Sequence, residues 1–110
     1  NIEKLANSIG AQMVVVIMPS KEQIYSHLIS DKINNFNEID QDYFTNVIDQ
    51  ICTENSLICL NLVQPFREKS YKSQLFYAID SHFNVEGNEL AAEETYRFLE
   101  SEGLLDLNKQ

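Results

Sequence analysis

The stretch Gln12-Met-Val-Val-Val-Ile-Met18 decides the fold, because it is a continuous apolar run dominated by β-branched residues. Such side chains have few χ1 options and pack well on a pleated surface, so the run predicts a strand. It shows no polar alternation, which points to burial on both faces, as in a parallel sheet covered by helices. Its apolar part, 13–18, is six residues long. A bilayer-spanning helix needs about 20, so no transmembrane segment is expected here. Helical spacing flanks the run on both sides. Upstream, Ile2, Leu5, Ala6 and Ile9 recur at helical intervals and Gly10 is a natural stop. Downstream, Ser20 with Gln23 three residues later forms a capping-box pattern, and Ile24, Tyr25 and Leu28 make the apolar side of a short helix.

Further along, 30–37 is polar and loop-like. Asp40 reads as the cap of a long helix whose buried stripe is Phe44, Val47, Ile48, Ile51 and Cys52. Residues 56–63 predict a second buried strand, closed by Pro65. Residues 66–71 then form a connection, and Arg67, Lys69 and Lys72 read as a solvated basic cluster rather than an anion site. A third, short strand over 75–79 ends at Asp80. The last helix runs over about 84–102, with Ala91, Thr95, Phe98 and Leu99 on one face and Gly103 as its stop. Strands alternating with helices imply an α/β domain, three-layer α/β/α with a largely parallel sheet. Three strands make a thin sheet, and the first helix enters with almost no lead. Residues 1–110 are therefore expected to be part of one domain, its C-terminal half.

Eight basic residues against 17 acidic ones give a net charge of −9. A surface this acidic repels phosphate backbones and anionic lipid, which disfavours nonspecific nucleic-acid binding and membrane association. A composition 44% hydrophobic and 23% charged is that of an ordinary globular chain, without repeats or low-complexity tracts. Cys52 and Cys59 are too few for a disulfide framework and lack paired zinc-ligand spacing. They read as two reduced core cysteines rather than a bridge, and so leave the compartment undecided.

Reactive groups in open α/β sheets collect at the carboxyl ends of strands. Two such ends stand out, Pro19-Ser20-Lys21 and Asp80-Ser81-His82. In extended chain, residues two apart point to the same side. The Asp80 carboxylate is thus placed to accept from one His82 ring nitrogen and fix the tautomer, leaving the other nitrogen as a base. A pair of this kind also occurs on solvated loops, and no third ligand is spaced to make it a metal site. Lys21, unfavourable to the dipole in a first helical turn, reads as a cleft residue or a plain surface lysine. His27, late in the same helix, reads as a solvated or capping histidine. Phe83 beside His82 is a candidate wall for an acyl pocket, while Phe76 and Tyr77 read as core packing. Asn84 caps the final helix and Gly87 lets it pack closely against the loop.

The run Asp80-Ser-His82-Phe-Asn84-Val-Glu-Gly87-Asn-Glu-Leu90-Ala-Ala92 resembles the closing block of the SGNH (GDSL-like) hydrolase superfamily. One residue between Asp and His, then an aromatic and Asn, is similar to the branch of alginate-type O-acetyltransferases; most esterases of the superfamily have two intervening residues. Pro19-Ser-Lys21-Glu-Gln-Ile-Tyr25 resembles the Pro-x-Lys-x-x-x-Tyr turn upstream of that block in the same branch. The resemblance implies an acyl-ester hydrolase or O-acetyltransferase without metal or organic cofactor. It implies His82 as general base and Asp80 as its orienting carboxylate; Lys21 and Phe83, from their own positions, are the residues expected at the substrate. The family's Gly-Asp-Ser block has no counterpart here. Ser20 is better explained as a cap. In the alginate branch the nucleophile can instead follow the Asp-x-His block. The 28 residues after His82, however, read as one helix and a tail, so the nucleophilic serine is expected in an N-terminal part outside these residues. The alternative is a non-catalytic α/β binding or assembly module. The expected partner is an acylated small molecule or polysaccharide. A thin sheet with an open edge is further expected to self-associate, and the branch leans toward an extracytoplasmic or envelope location.

Overall fold

A computed structural model describes residues 1–28 and 40–105 of the chain. The expectations for 30–37 and for His27 lie outside what is described. The elements are α1 (Ile2–Ser8), β1 (Val14–Ile17), α2 (Lys21–Leu28), α3 (Tyr43–Glu54), β2 (Ile58–Asn61), α4 (Val63–Ser70) and α5 (Val85–Ser101). Asn1 caps α1 by accepting the Lys4 N–H at 2.8 Å. The capping box of α2 forms as read: the Gln23 N–H donates to Ser20 Oγ at 3.1 Å, and Gln23 Oε1 accepts the Ser20 N–H at 3.2 Å.

The two strands pair in parallel, with Val14 opposite Ile58 and Ile17 opposite Asn61. The chain is thus α/β in content, with a two-stranded sheet among the described residues. The third strand expected over 75–79 does not form. Phe76 instead makes a single antiparallel bridge to Phe83, and Leu75 and Phe76 are fully buried against helices rather than in a sheet. The connection expected over 66–71 is also corrected, because it belongs to α4. Pro65 occupies the third position of that helix, where an N–H has no intrahelical acceptor to lose. Asn61 Oδ1 accepts the Val63 N–H at 3.0 Å and helps start it.

The core lies beyond the carboxyl ends of the strands, where Ile24, Leu62, Val63, Phe66, Leu75, Phe76 and Ala91 form one cluster. Phe66 packs on Phe76 and Phe83 with centroids 6.2 and 4.8 Å apart, and Tyr25 meets Phe76 edge-on at 5.5 Å. Each large side chain buried in this way stabilises the fold by about 1.5–3 kcal/mol. Beside the cluster, Gln23 is buried and its Nε2 donates to Asp42 Oδ1 and Thr45 Oγ1 at 3.0 and 2.9 Å. Arg67 is not solvated as the basic-cluster reading held. It forks onto the Asp42 carboxylate, with Nη1 donating to Oδ2 at 2.8 Å and Nη2 donating to Oδ1. α2, α3 and α4 are thereby tied by one polar network, since a charged fork recognises a carboxylate with both direction and strength.

Two further expectations are corrected on α3. Of the stripe read as buried, Cys52 alone is; Phe44 is 79% exposed, and Val47, Ile48 and Ile51 also face outward. A two-stranded sheet offers too little surface for the whole stripe, so β1 and β2 take only the Cys52 side. Phe44 and Ile48 border a groove of about 470 Å³ along β1. The cysteines are not reduced but bonded, Cys52 to Cys59, with Cα atoms 6.2 Å apart. The turn after α3, where Ser56 adopts a positive φ of 54°, folds β2 back along the helix and brings the pair together. Closing so short a loop removes about 2–3 kcal/mol of unfolded-state freedom.

Candidate functional site

Residues 75–84 form a narrow loop closed at its base. The Asn84 N–H donates to Leu75 O at 3.0 Å, and the Tyr77 N–H donates to His82 O at 3.1 Å, on either side of the Phe76–Phe83 bridge. Alternation along extended chain then sorts the side chains. Phe83 turns inward onto Phe66 and Phe76, while His82 turns outward, its side chain 82% exposed. The ring of Phe83 therefore serves the aromatic cluster and anchors the position next to His82. Asn84 is the observed cap of α5, its Oδ1 accepting the Gly87 N–H at 2.8 Å. Its Nδ2 donates to Gln74 O at 2.9 Å, fastening the loop's other end.

Within the loop, Asp80 Oδ1 accepts the His82 backbone N–H at 2.7 Å and is hydrogen-bonded to His82 Nδ1. The backbone N–H, and after it the imidazole, hold the Asp80 carboxyl below its ordinary value of 3.8, with the Lys21 charge adding to the effect. An ionised carboxylate only accepts, so Nδ1 carries the proton and Nε2 is left as the basic nitrogen. Asp80 and His82 lie on one side of the chain, brought there by a bend that the Asp80 carboxylate closes onto the His82 N–H rather than by the extended chain expected.

Lys21, expected at the substrate, is held against this loop. The Nζ donates to three backbone carbonyls of this loop, those of Tyr77, Ala78 and Asp80, at 2.7, 3.0 and 3.1 Å. The start of α2 and the Asp80 loop are thereby joined, and Lys21, Tyr25, Ser26, Ile79 and Ser81 share a recess of about 360 Å³. Sequence reasoning brought these two segments to the same region but missed the carbonyl contacts. The signal for them was the misplaced charge, since a lysine in a first helical turn needs an acceptor beyond its own helix. The Arg67–Asp42 fork was missed as well, because nothing local marks a pair 25 residues apart. Among the described residues, no group of three or more His, Cys, Asp or Glu side chains gathers as a metal site. Nor, among them, is any helix long and apolar enough to cross a membrane.

The family model for the SGNH hydrolase-like domain of the acetyltransferase AlgX matches residues 2–110. No curated protein and no solved structure matches the chain. The match spans both segments that meet at Lys21 and the Asp80–His82 loop, and on that extent the chain belongs to the SGNH hydrolase-like domain family of acetyltransferase AlgX.

Proposed function

We propose that the chain carries the Asp-His part of a Ser-His-Asp triad in an O-acetyltransferase or acyl-ester hydrolase acting on an acylated polysaccharide or small molecule. The observation supporting this reading is the orientation of His82, with Nδ1 tied to Asp80 and Nε2 on an exposed side of the loop. His82 Nε2 takes the proton from a serine hydroxyl as the oxygen attacks the acyl carbonyl. It then returns that proton to the leaving alkoxide, producing an acyl-serine. The acceptor, a sugar hydroxyl or water, gives its proton to the same nitrogen and attacks the acyl-serine; the new ester or free acid is released as Nε2 returns that proton to the departing serine oxygen. Asp80 holds the tautomer and stabilises the imidazolium in both halves.

The 110 residues contain no Gly-Asp-Ser block, so in this reading the nucleophile and its oxyanion donors lie outside them. The same observation favours the rival reading, a non-catalytic binding or assembly module. Labelling of the full-length protein with a serine-directed fluorophosphonate separates the two. A stoichiometric adduct on a serine outside 1–110, formed together with acetyl-ester turnover, is expected. These 110 residues alone are expected to hydrolyse p-nitrophenyl acetate no faster than free imidazole. An adduct at Ser20 or Ser81 would overturn this placement of the nucleophile, and no adduct with no turnover would favour the module.

An extracytoplasmic or envelope location belongs to the same reading, and the Cys52–Cys59 bond supports it, because such bonds persist in oxidising compartments. Self-association is the further part, supported by the outward apolar face of Phe44, Ile48 and Ile51. Sedimentation of the 110-residue chain should show a dimer or larger species. A monomer at high concentration would remove this part of the reading.

A further inference from the structure

The loop tip that carries Asp80 has almost nothing apolar to hold it. Ile79 is fully exposed, Tyr77 is half-exposed, and neither joins the core cluster. The hydrogen bonds of the 75–84 base reach no further than Tyr77 on one side and His82 on the other. Between them the carbonyls of Tyr77, Ala78 and Asp80 converge on a single point. Three carbonyl dipoles aimed together repel one another unless a cation sits among them. An ammonium has three donors and no acceptor, and here each of the three donors finds a carbonyl. The ammonium also lies 5.9 Å from the Tyr25 ring centroid, one turn along the same helix.

We propose that Lys21 is a positioning residue: it clamps the 77–80 backbone and so sets the direction in which Asp80 presents His82. The chain of contacts is short. Lys21 Nζ holds the Asp80 carbonyl, and the Asp80 carboxylate holds both the backbone N–H and Nδ1 of His82. Lys21 thus acts on the imidazole without touching it. Its consequence for acyl transfer rests on the function proposed above; the clamp itself does not.

The test is Lys21→Met in the full-length protein, which keeps the stem length and removes the charge and all three donors. Two sets of readouts are taken. In the first, nitrogen-15 shifts of the His82 ring report its tautomer, and amide exchange reports the Tyr77 and His82 N–H groups. A His27→Gln background separates the two histidine signals. The ring is expected to move from a single Nδ1–H tautomer to an averaged mixture. The two loop amides should exchange on the order of tenfold faster, with the α5 amides unchanged. In the second set, kcat for acetyl transfer is expected to fall on the order of 10²-fold with KM little changed, since a misdirected base costs rate rather than binding. Lys21→Arg, which retains charge and donors, should restore the tautomer and part of the rate. If Lys21→Met does not fold, Lys21→Gln gives the same readouts.

An unchanged His82 tautomer and unchanged loop exchange would overturn the clamp, whatever the activity. A raised KM at constant kcat would overturn its role in directing the base, because Lys21 would then be binding substrate. If the His82 signals move as expected while the wild-type protein shows no acyl transfer, the clamp stands and the proposed function fails.

Discussion

In the full-length protein, His82→Ala is expected to lower kcat for acyl transfer about 10³–10⁴-fold, while circular dichroism and Tm stay close to wild type. The stability half of that expectation follows from exposure: the His82 side chain is 82% in solvent, so its removal empties no core space. The activity half follows from Nε2, the nitrogen that Asp80 leaves free. Asp80→Asn should leave the fold intact and still lose most of the rate. An amide at this position presents an N–H as well as an oxygen, so it no longer selects the Nδ1–H tautomer. Acid acts on the same group, and the sign is fixed by the direction of its shift. The folded carboxyl lies below 3.8, held there first by the His82 backbone N–H and then by the ring. Its contribution to loop stability is therefore fully present above that ordinary value and is lost as pH falls through the lower, folded one. If His82→Ala retained wild-type kcat, the assignment of His82 as the general base would be gone.

Gly87→Ala is the second large effect, and local propensity and packing disagree about its sign. Inside a helix, alanine is favoured over glycine by about 1 kcal/mol, so α5 considered alone should be stabilised. The packing opposes this. A Cβ at Gly87 would stand 2.1 Å from the Leu75 carbonyl oxygen and 3.0 Å from Phe83 Cβ. The first of these neighbours is backbone, and it is already fixed by the Asn84 N–H at 3.0 Å. Leu75 itself is fully buried. Either α5 must lift from the core or the 75–84 loop must shift, and overpacking of this kind costs about 1–3 kcal/mol or more. The net expectation is destabilisation of about 2 kcal/mol, read as a lowered Tm of the full-length protein. The same shift would carry Asp80 and His82 with it, so kcat should fall along with stability. A raised Tm would mean that α5 does not press on Leu75, and the loop's base would have to be redrawn.

Local signals carried those features whose causes lie within a few residues. The strand at Val14–Ile17, the capping box at Ser20 and Gln23, the cap at Asn84 and the stop at Gly103 are all legible because each depends on neighbours in sequence. The same holds for the two segments that resemble the acetyltransferase branch. Asp80 and His82 do share a side, but through a bend in which Asp80 Oδ1 accepts the His82 N–H rather than through extended chain. Competition among distant segments for limited apolar surface decided the remainder. The 75–79 run has strand composition, yet Leu75 and Phe76 are drawn into the helix-lined cluster, leaving one bridge where a strand was expected. The α3 stripe has core periodicity, but two strands cannot cover it. Cys52 and Cys59 became a bond only because a turn at Ser56 folds β2 onto α3. Periodicity reports what a segment offers to bury, and tertiary structure decides which offers are met. Lys21 shows the division most plainly: its residue type and helical position announce an unplaced charge, and only the fold supplies the three carbonyls, 56–59 residues away, that receive it.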